Sequence, residues 1–158
     1  MQGYSSIESP AGLRVAKCQL HGVLVRVVGR GVLVTGDSGV GKTACAIELL
    51  RRGHELVADD SVQVFQQGTD LVGRAPEITR SLVHIRGVGI ANLAHVFNRA
   101  SLLNECRIDL GIAIDGTTVE AQMPDLSIPH FRIDADSPSG LADRIESIAC
   151  ENASIEMQ

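Results

Sequence analysis

The segment Gly36-Asp37-Ser38-Gly39-Val40-Gly41-Lys42-Thr43 constrains this chain more than any other stretch. It fits G-x-x-x-x-G-K-[ST]. It stands between an apolar run, Val32-Leu33-Val34, and a run with helical spacing from Lys42 to Arg52. Strand, glycine-rich loop and helix are the context the pattern requires. The three glycines let the backbone curl round an anion without Cβ clashes. The loop amides then point inward at phosphate oxygens, and the following helix adds the positive end of its dipole. In that reading residues 36–43 cradle a nucleoside triphosphate, Lys42 reaches the β- and γ-phosphates, and the Thr43 hydroxyl holds Mg²⁺. A chance glycine-rich turn is the plain alternative, and the agreement of motif, strand and helix argues against it. The loop alone names no reaction.

The rest of the chain reads as one α/β unit with polar ends. Its 158 residues fit a single domain. With 44% hydrophobic and 21% charged residues it is too apolar for a disordered chain. No run of about 18 apolar residues predicts a membrane span. A net charge of −5 argues against a binder that works by neutralising nucleic-acid phosphates. With no Trp, one Tyr and three Phe, stacking platforms for single strands are not expected either. The cysteines, Cys18, Cys45, Cys106 and Cys150, have spacings that suit no zinc site, and the first residues lack the pattern of an export signal. A reducing, cytoplasmic setting with four buried free thiols is the expectation.

Residues 1–12 read as a lead-in, 13–150 as the domain and 151–158 as a tail. Val23–Val28 and Val32–Val34, split by Gly29-Arg30-Gly31, suggest a hairpin feeding a buried strand. Lys42–Arg52 reads as a helix with a Glu48–Arg52 pair and Gly53 just past its end. Glu55–Ala58 and Ser61–Gln67 read as strands, and Gly73-Arg74-Ala75-Pro76 as a break. Leu82–Arg86 is a strand or loop, and Ile90–Asn98 a short helix. From Arg107 to Asp115 the alternation puts Ile108, Leu110, Ile112 and Ile114 on one face. Ser137 and Pro138 open a last helix with Leu141, Ile145 and Ile148 as its stripe.

Asp59 and Asp60 close an apolar strand, and ligands of open α/β sheets bind outside the carboxyl ends of strands. Two carboxylates there can divide two tasks, one binding Mg²⁺ and one accepting a proton from an attacking hydroxyl. Neighbours on a strand point to opposite faces, so both serve one site only where the strand has ended. A solvated turn is the other reading, and the phosphate-type loop a short helix away favours the functional one.

Taken together, His21-Gly22-Val23-Leu24-Val25, the loop, Arg52-Gly53-His54-Glu55-Leu56-Val57-Ala58-Asp59-Asp60 and Ile85-Arg86-Gly87-Val88-Gly89-Ile90-Ala91-Asn92 resemble the catalytic domain of the bacterial HPr kinase/phosphorylase family. The resemblance runs from about Gly12 to Asp115. It implies a P-loop α/β fold similar to the nucleotide-binding core of phosphoenolpyruvate carboxykinase, a mixed sheet with flanking helices. It implies an ATP- and Mg²⁺-dependent kinase acting on a serine of HPr, the small carrier of the sugar phosphotransferase system. Many members also reverse the reaction with inorganic phosphate, releasing pyrophosphate. The family forms hexamers, so a homo-oligomer is implied. By motif, His21, Lys42 and Asp60 enter the active site. Asp60 is the proton acceptor, Asp59 supports the metal, and Thr43 is its hydroxyl ligand. Arg86 neutralises phosphoryl charge or docks the protein substrate, the plain alternative being a sheet-end Arg bonded to carbonyls. Asn92 is a candidate helix cap.

Three departures stand out. His84 occupies the place where the family usually has a metal-binding Glu. Imidazole suits Mg²⁺ poorly, so His84 is either an altered ligand or a side chain packed beside the loop. These residues hold no counterpart of the family's usual N-terminal domain, and a short form limited to the kinase domain is the expectation. The later catalytic Arg and Pro-Gly-Arg segments have no clean match; Ile128-Pro129-His130-Phe131-Arg132 is a loose echo. The leading expectation is an HPr serine kinase. The alternative is an ATP-binding sensor with weak or no transfer.

Overall fold

The computed structural model describes residues 14–37, 39–76, 82–85, 89–92, 101–115 and 128–156. The side chains of residues 82–85, 89, 91 and 152–156 lie outside the description. The framework is a five-stranded mixed sheet in the order β11-β10-β3-β2-β4. Its strands are β2 (Val23–Val27), β3 (Arg30–Gly36), β4 (Glu55–Ala58), β10 (Leu110–Ile114) and β11 (His130–Ile133). Strands β11, β10 and β3 run parallel, while β2 is antiparallel to both β3 and β4. A second sheet stacks on it, in the order β1-β5-β6-β9, from β1 (Arg14–His21), β5 (Ser61–Gln67), β6 (Asp70–Arg74) and β9 (Glu105–Arg107). Strands β7 (Leu82–Ile85) and β8 (Gly89–Asn92) form a separate hairpin. The two described helices are α1 (Lys42–Arg51) and α2 (Pro138–Glu156).

Two cores explain the unbroken apolar runs. Val23, Val25, Val27, Val32 and Val34 pack with Cys45, Ala46, Leu49, Leu141 and Ile145 of the helices. Leu24 and Leu33, the alternate residues of the same strands, pack with Leu20, Val62, Val64 and Leu71 of the second sheet. The central sheet is therefore covered on both faces, which is why β2 and β3 carry apolar residues at nearly every position. Each such fully buried side chain contributes roughly 1.5–3 kcal/mol of transfer free energy.

Several expectations change in detail. Among the described residues both helices pack on one face of the sheet, and the other face is covered by strands. Ile108 does not share a face with Leu110, Ile112 and Ile114. The chain leaves β9 and enters β10 around it, so Ile108 packs between the sheets. Gly73 and Arg74 lie in β6 rather than in a break, and residues 90–92 are strand, paired with β7. Residues 93–98 of the expected helix and 1–12 of the expected lead-in lie outside the described residues. Helix α2 continues to Glu156, past the point where a tail is expected. The thiols differ too: Cys45 is buried, Cys18 and Cys106 are half-buried and Cys150 is exposed, all free. Burial pushes the Cys45 and Cys106 thiols up to about 12, so neither is a thiolate at neutral pH.

The helix ends are as the sequence reads. The Ser137 hydroxyl accepts from the Gly140 amide at 3.1 Å, the N-cap bond of α2. Past α1, the Gly53 amide donates to Leu50 and the His54 amide to Leu49, with Gly53 at φ 96°, a complete Schellman closure. Arg52 bonds Glu48, Asp143 and Glu146, tying α1 to α2.

The β2–β3 hairpin turns on Val28 and Gly29, at φ 53° and 77°. Positive φ at both central residues suits the strand twist, but a β-branched residue there is strained. Val28 is also 48% exposed, so its side chain gains little from packing. Val28→Asn should raise stability by about 1 kcal/mol, seen as a higher urea midpoint with an unchanged slope.

Candidate active site

Strand direction gathers the candidate residues at one edge. β3 runs into the glycine-rich loop and β4 into Asp59-Asp60. β2, antiparallel to both, starts at the same edge, just after His21 and Gly22. β10, parallel to β3, delivers Asp115 there as well. This is the carboxyl edge, where open α/β sheets hold ligands.

The loop takes the backbone form its glycines permit. Gly41, at φ 103°, is the N-cap of α1 and has no side chain to satisfy the first helical amides. Those amides are left for an anion, and the helix dipole favours one. Lys42 is buried, and its ammonium donates to the carbonyls of Gly36 at 2.7 Å and Asp37 at 3.1 Å. Burial holds Lys42 below the ordinary lysine value, while Asp59, Asp60 and Asp37 pull it back up.

The two aspartates have separate environments. Asp59 is only 6% exposed and accepts the Thr43 hydroxyl at 2.9 Å. The side chain of Asp60 is 73% exposed, and its Oδ1 lies 3.3 Å from His21 Nδ1. Asp60 sits at φ 75°, and the Gly22 amide donates to its carbonyl at 3.2 Å. The positive φ ends the strand, and this lets adjacent carboxylates face one site.

Thr43 and Asp59 offer hard oxygen donors, which fit Mg²⁺. The Thr43 proton is engaged by Asp59, leaving the hydroxyl lone pairs for a cation. Among the described residues no group of three or more His, Cys, Asp and Glu converges on a metal. A Mg²⁺ site of this kind takes its remaining oxygens from phosphate and water. The acidic edge (Asp37, Asp59, Asp60) would repel a polyphosphate unless a cation accompanied it.

The structure thus brings together His21, Gly36, Asp37, Gly39, Val40, Gly41, Lys42, Thr43, Asp59 and Asp60. Ser38 and Arg86 lie outside the described residues. His84 is in β7 opposite Ile90, and its side chain is likewise outside the description. Asn92 ends β8 opposite Leu82. Arg132 is exposed on β11, two strands away from β3. Two residues at the edge were not singled out by sequence. Asp115, at φ 43°, accepts the Ala135 amide at 3.2 Å and ties the end of β10 to the segment before α2. Gly22, inside the His21–Val25 motif, reads in sequence as simple punctuation between two runs; the His-Gly step at a strand boundary is its signal.

Residues 14–153 match the HPr Serine kinase C-terminal domain. The chain belongs to that family. An HPr kinase/phosphorylase of Lactiplantibacillus plantarum is 40% identical over 143 residues, which cover 82% of this chain and 45% of the relative. The chain therefore spans less than half the length of that relative. The structure titled Hpr(Ser) kinase/phosphatase from Coxiella burnetii superposes with a TM-score of 0.75 at 24% identity. That likeness covers 89% of this chain and 93% of the other, and it establishes a shared fold. No helix among the described residues is long and apolar enough to cross a membrane.

Proposed function

We propose that this domain is an ATP- and Mg²⁺-dependent serine kinase acting on HPr or an HPr-like carrier, within phosphotransferase-system signalling in the cytoplasm. The observation that carries the reading is the divided aspartate pair. Asp59 is buried on the Thr43 hydroxyl, while Asp60 is exposed beside His21. Family membership supports the substrate class, and the relatives' names support the reaction.

The roles follow from the surroundings. The loop amides and the α1 N-terminus bind the β- and γ-phosphates. Lys42 exchanges its two carbonyl partners for phosphate oxygens and offsets charge on the transferring group. Thr43 and Asp59 would hold Mg²⁺, which neutralises phosphate charge when bound. Asp60 accepts the serine proton as the serine oxygen bonds to the γ-phosphorus and the bond to ADP breaks. His21 holds the Asp60 carboxylate toward the incoming hydroxyl. In reverse, the proton on Asp60 returns to the serine oxygen as inorganic phosphate takes the phosphoryl group. A hexameric assembly and a metal-side role for His84 belong to the same proposal, as does a role for Arg86 in neutralising phosphoryl charge.

The deciding experiment incubates the chain with γ-labelled ATP, Mg²⁺ and HPr. Label on an HPr serine is expected. Tight ATP binding without label, unrelieved by His84→Glu or by Mn²⁺, would instead identify a nucleotide sensor.

A further inference from the structure

We infer that Gly22 is a positioning residue for phosphoryl transfer: its missing side chain sets the distance between the His21–Asp60 pair and the phosphate loop. This rests on the proposed roles of that pair. Gly22 is the corner at which the chain leaves the outer sheet, at the end of β1, and enters the central sheet as β2. A Cβ there would stand 2.7 Å from the Val34 carbonyl oxygen and 3.4 Å from Thr35 Cγ2. Val34 and Thr35 are the residues of β3 that lead into Gly36, the first residue of the loop. The obstacle is mostly backbone, which cannot swing aside as a side-chain tip would.

The same glycine also holds the other partner. Its amide donates to the Asp60 carbonyl at 3.2 Å, and His21, one residue earlier, meets the Asp60 carboxylate. On the outer sheet, His21 pairs with Ser61, the residue after Asp60. On the central sheet, Val23 pairs with Val34. The corner thus touches the dyad on one side and the root of the loop on the other, within three consecutive residues. An added methyl group must widen the gap to β3, and His21 and Asp60 are attached to the corner that is displaced. Displacing a reacting group by about 1 Å can cost on the order of 100-fold in rate.

The test uses the full chain as wild type, Gly22→Ala and Gly73→Ala. Gly73 is a matched control: its added methyl meets Leu24 Cδ2 at 2.6 Å, between the sheets rather than at the loop. Gly22→Ala should lower kcat for transfer to HPr by about 30–100-fold, with the KM for ATP within about two-fold. Gly73→Ala should lose thermal stability and keep its kcat. In parallel, the side-chain ¹⁵N resonances of His21 are recorded in all three proteins and in Asp60→Asn. Asp60→Asn should shift them, Gly22→Ala should shift them in the same direction, and Gly73→Ala should leave them in place. If Gly22→Ala does not fold, Thr35→Ser, which takes away the methyl packed against the corner, should move the His21 resonances from their wild-type positions and lower kcat by about 3–10-fold.

If the wild type transfers no phosphate, the functional reading fails and the resonances alone decide the positioning. The inference is overturned if folded Gly22→Ala, or Thr35→Ser in its place, keeps wild-type His21 resonances. It is equally overturned if Asp60→Asn leaves those resonances unmoved, or if Gly73→Ala loses as much kcat as Gly22→Ala.

Discussion

Asp60→Asn should reduce kcat for transfer to HPr by about 100–10,000-fold while ATP affinity stays within about two-fold. The substitution keeps the shape of the side chain and removes only its capacity to take a proton. Binding should survive because Asp60 is exposed, its close contacts are with His21 and the Gly22 amide, and it reaches the loop through the pull of its charge on Lys42, one of three carboxylates that act there. The adjacent substitution, Asp59→Asn, should behave differently. Asp59 is buried on the Thr43 hydroxyl, so its loss should weaken metal-dependent ATP binding itself. Calorimetric titration with Mg²⁺ and a non-hydrolysable ATP analogue separates the two variants, and single-turnover transfer gives the rate. Equal effects of the two substitutions on binding would remove the division of labour on which the proposed mechanism stands.

The loop and its two flanking elements are legible because three signals agree on one local structure: an apolar strand, spaced glycines and a capped helix. The same holds for α2, where Ser137 and Pro138 mark the start and an apolar stripe follows. Local rules serve where the determining contacts are local. They fail at β6, where Gly73 reads as a breaker. Its place in the sheet is required by long-range packing, since a side chain there would collide with Leu24, Ile108 and Val62. They fail at Ile108 for a related reason: alternation assumes one unbroken strand, and the chain instead changes sheets there. In the second sheet β5 is legible from its alternation, while β1 is hard to read, since it carries a mixed exposed and buried pattern over Arg14–His21. Within the site, Asp59 and Asp60 were legible as a pair, but which one is buried depends on the turn at Asp60. A left-handed aspartate leaves no mark on composition or periodicity.

Lys42→Ala should weaken ATP binding by at least about 100-fold and lower kcat/KM by more than about 1,000-fold, since one side chain serves both binding and the developing charge. The geometry around Lys42 explains why another cationic side chain would not substitute. The Lys42 ammonium fits inside the loop, bonded to the Gly36 and Asp37 carbonyls, in a buried place that admits a compact group. A guanidinium is planar and broader, and its fork cannot adopt that arrangement, so Lys42→Arg should fail nearly as badly as Lys42→Ala. The charge of Lys42 is opposed by burial and supported by Asp59, Asp60 and Asp37, a balance that suits a cation which must leave its carbonyl partners when phosphate arrives. If both variants bind ATP as the wild type does, the loop is not the nucleotide site. If Lys42→Arg alone retains full transfer, charge rather than fit is what the loop requires.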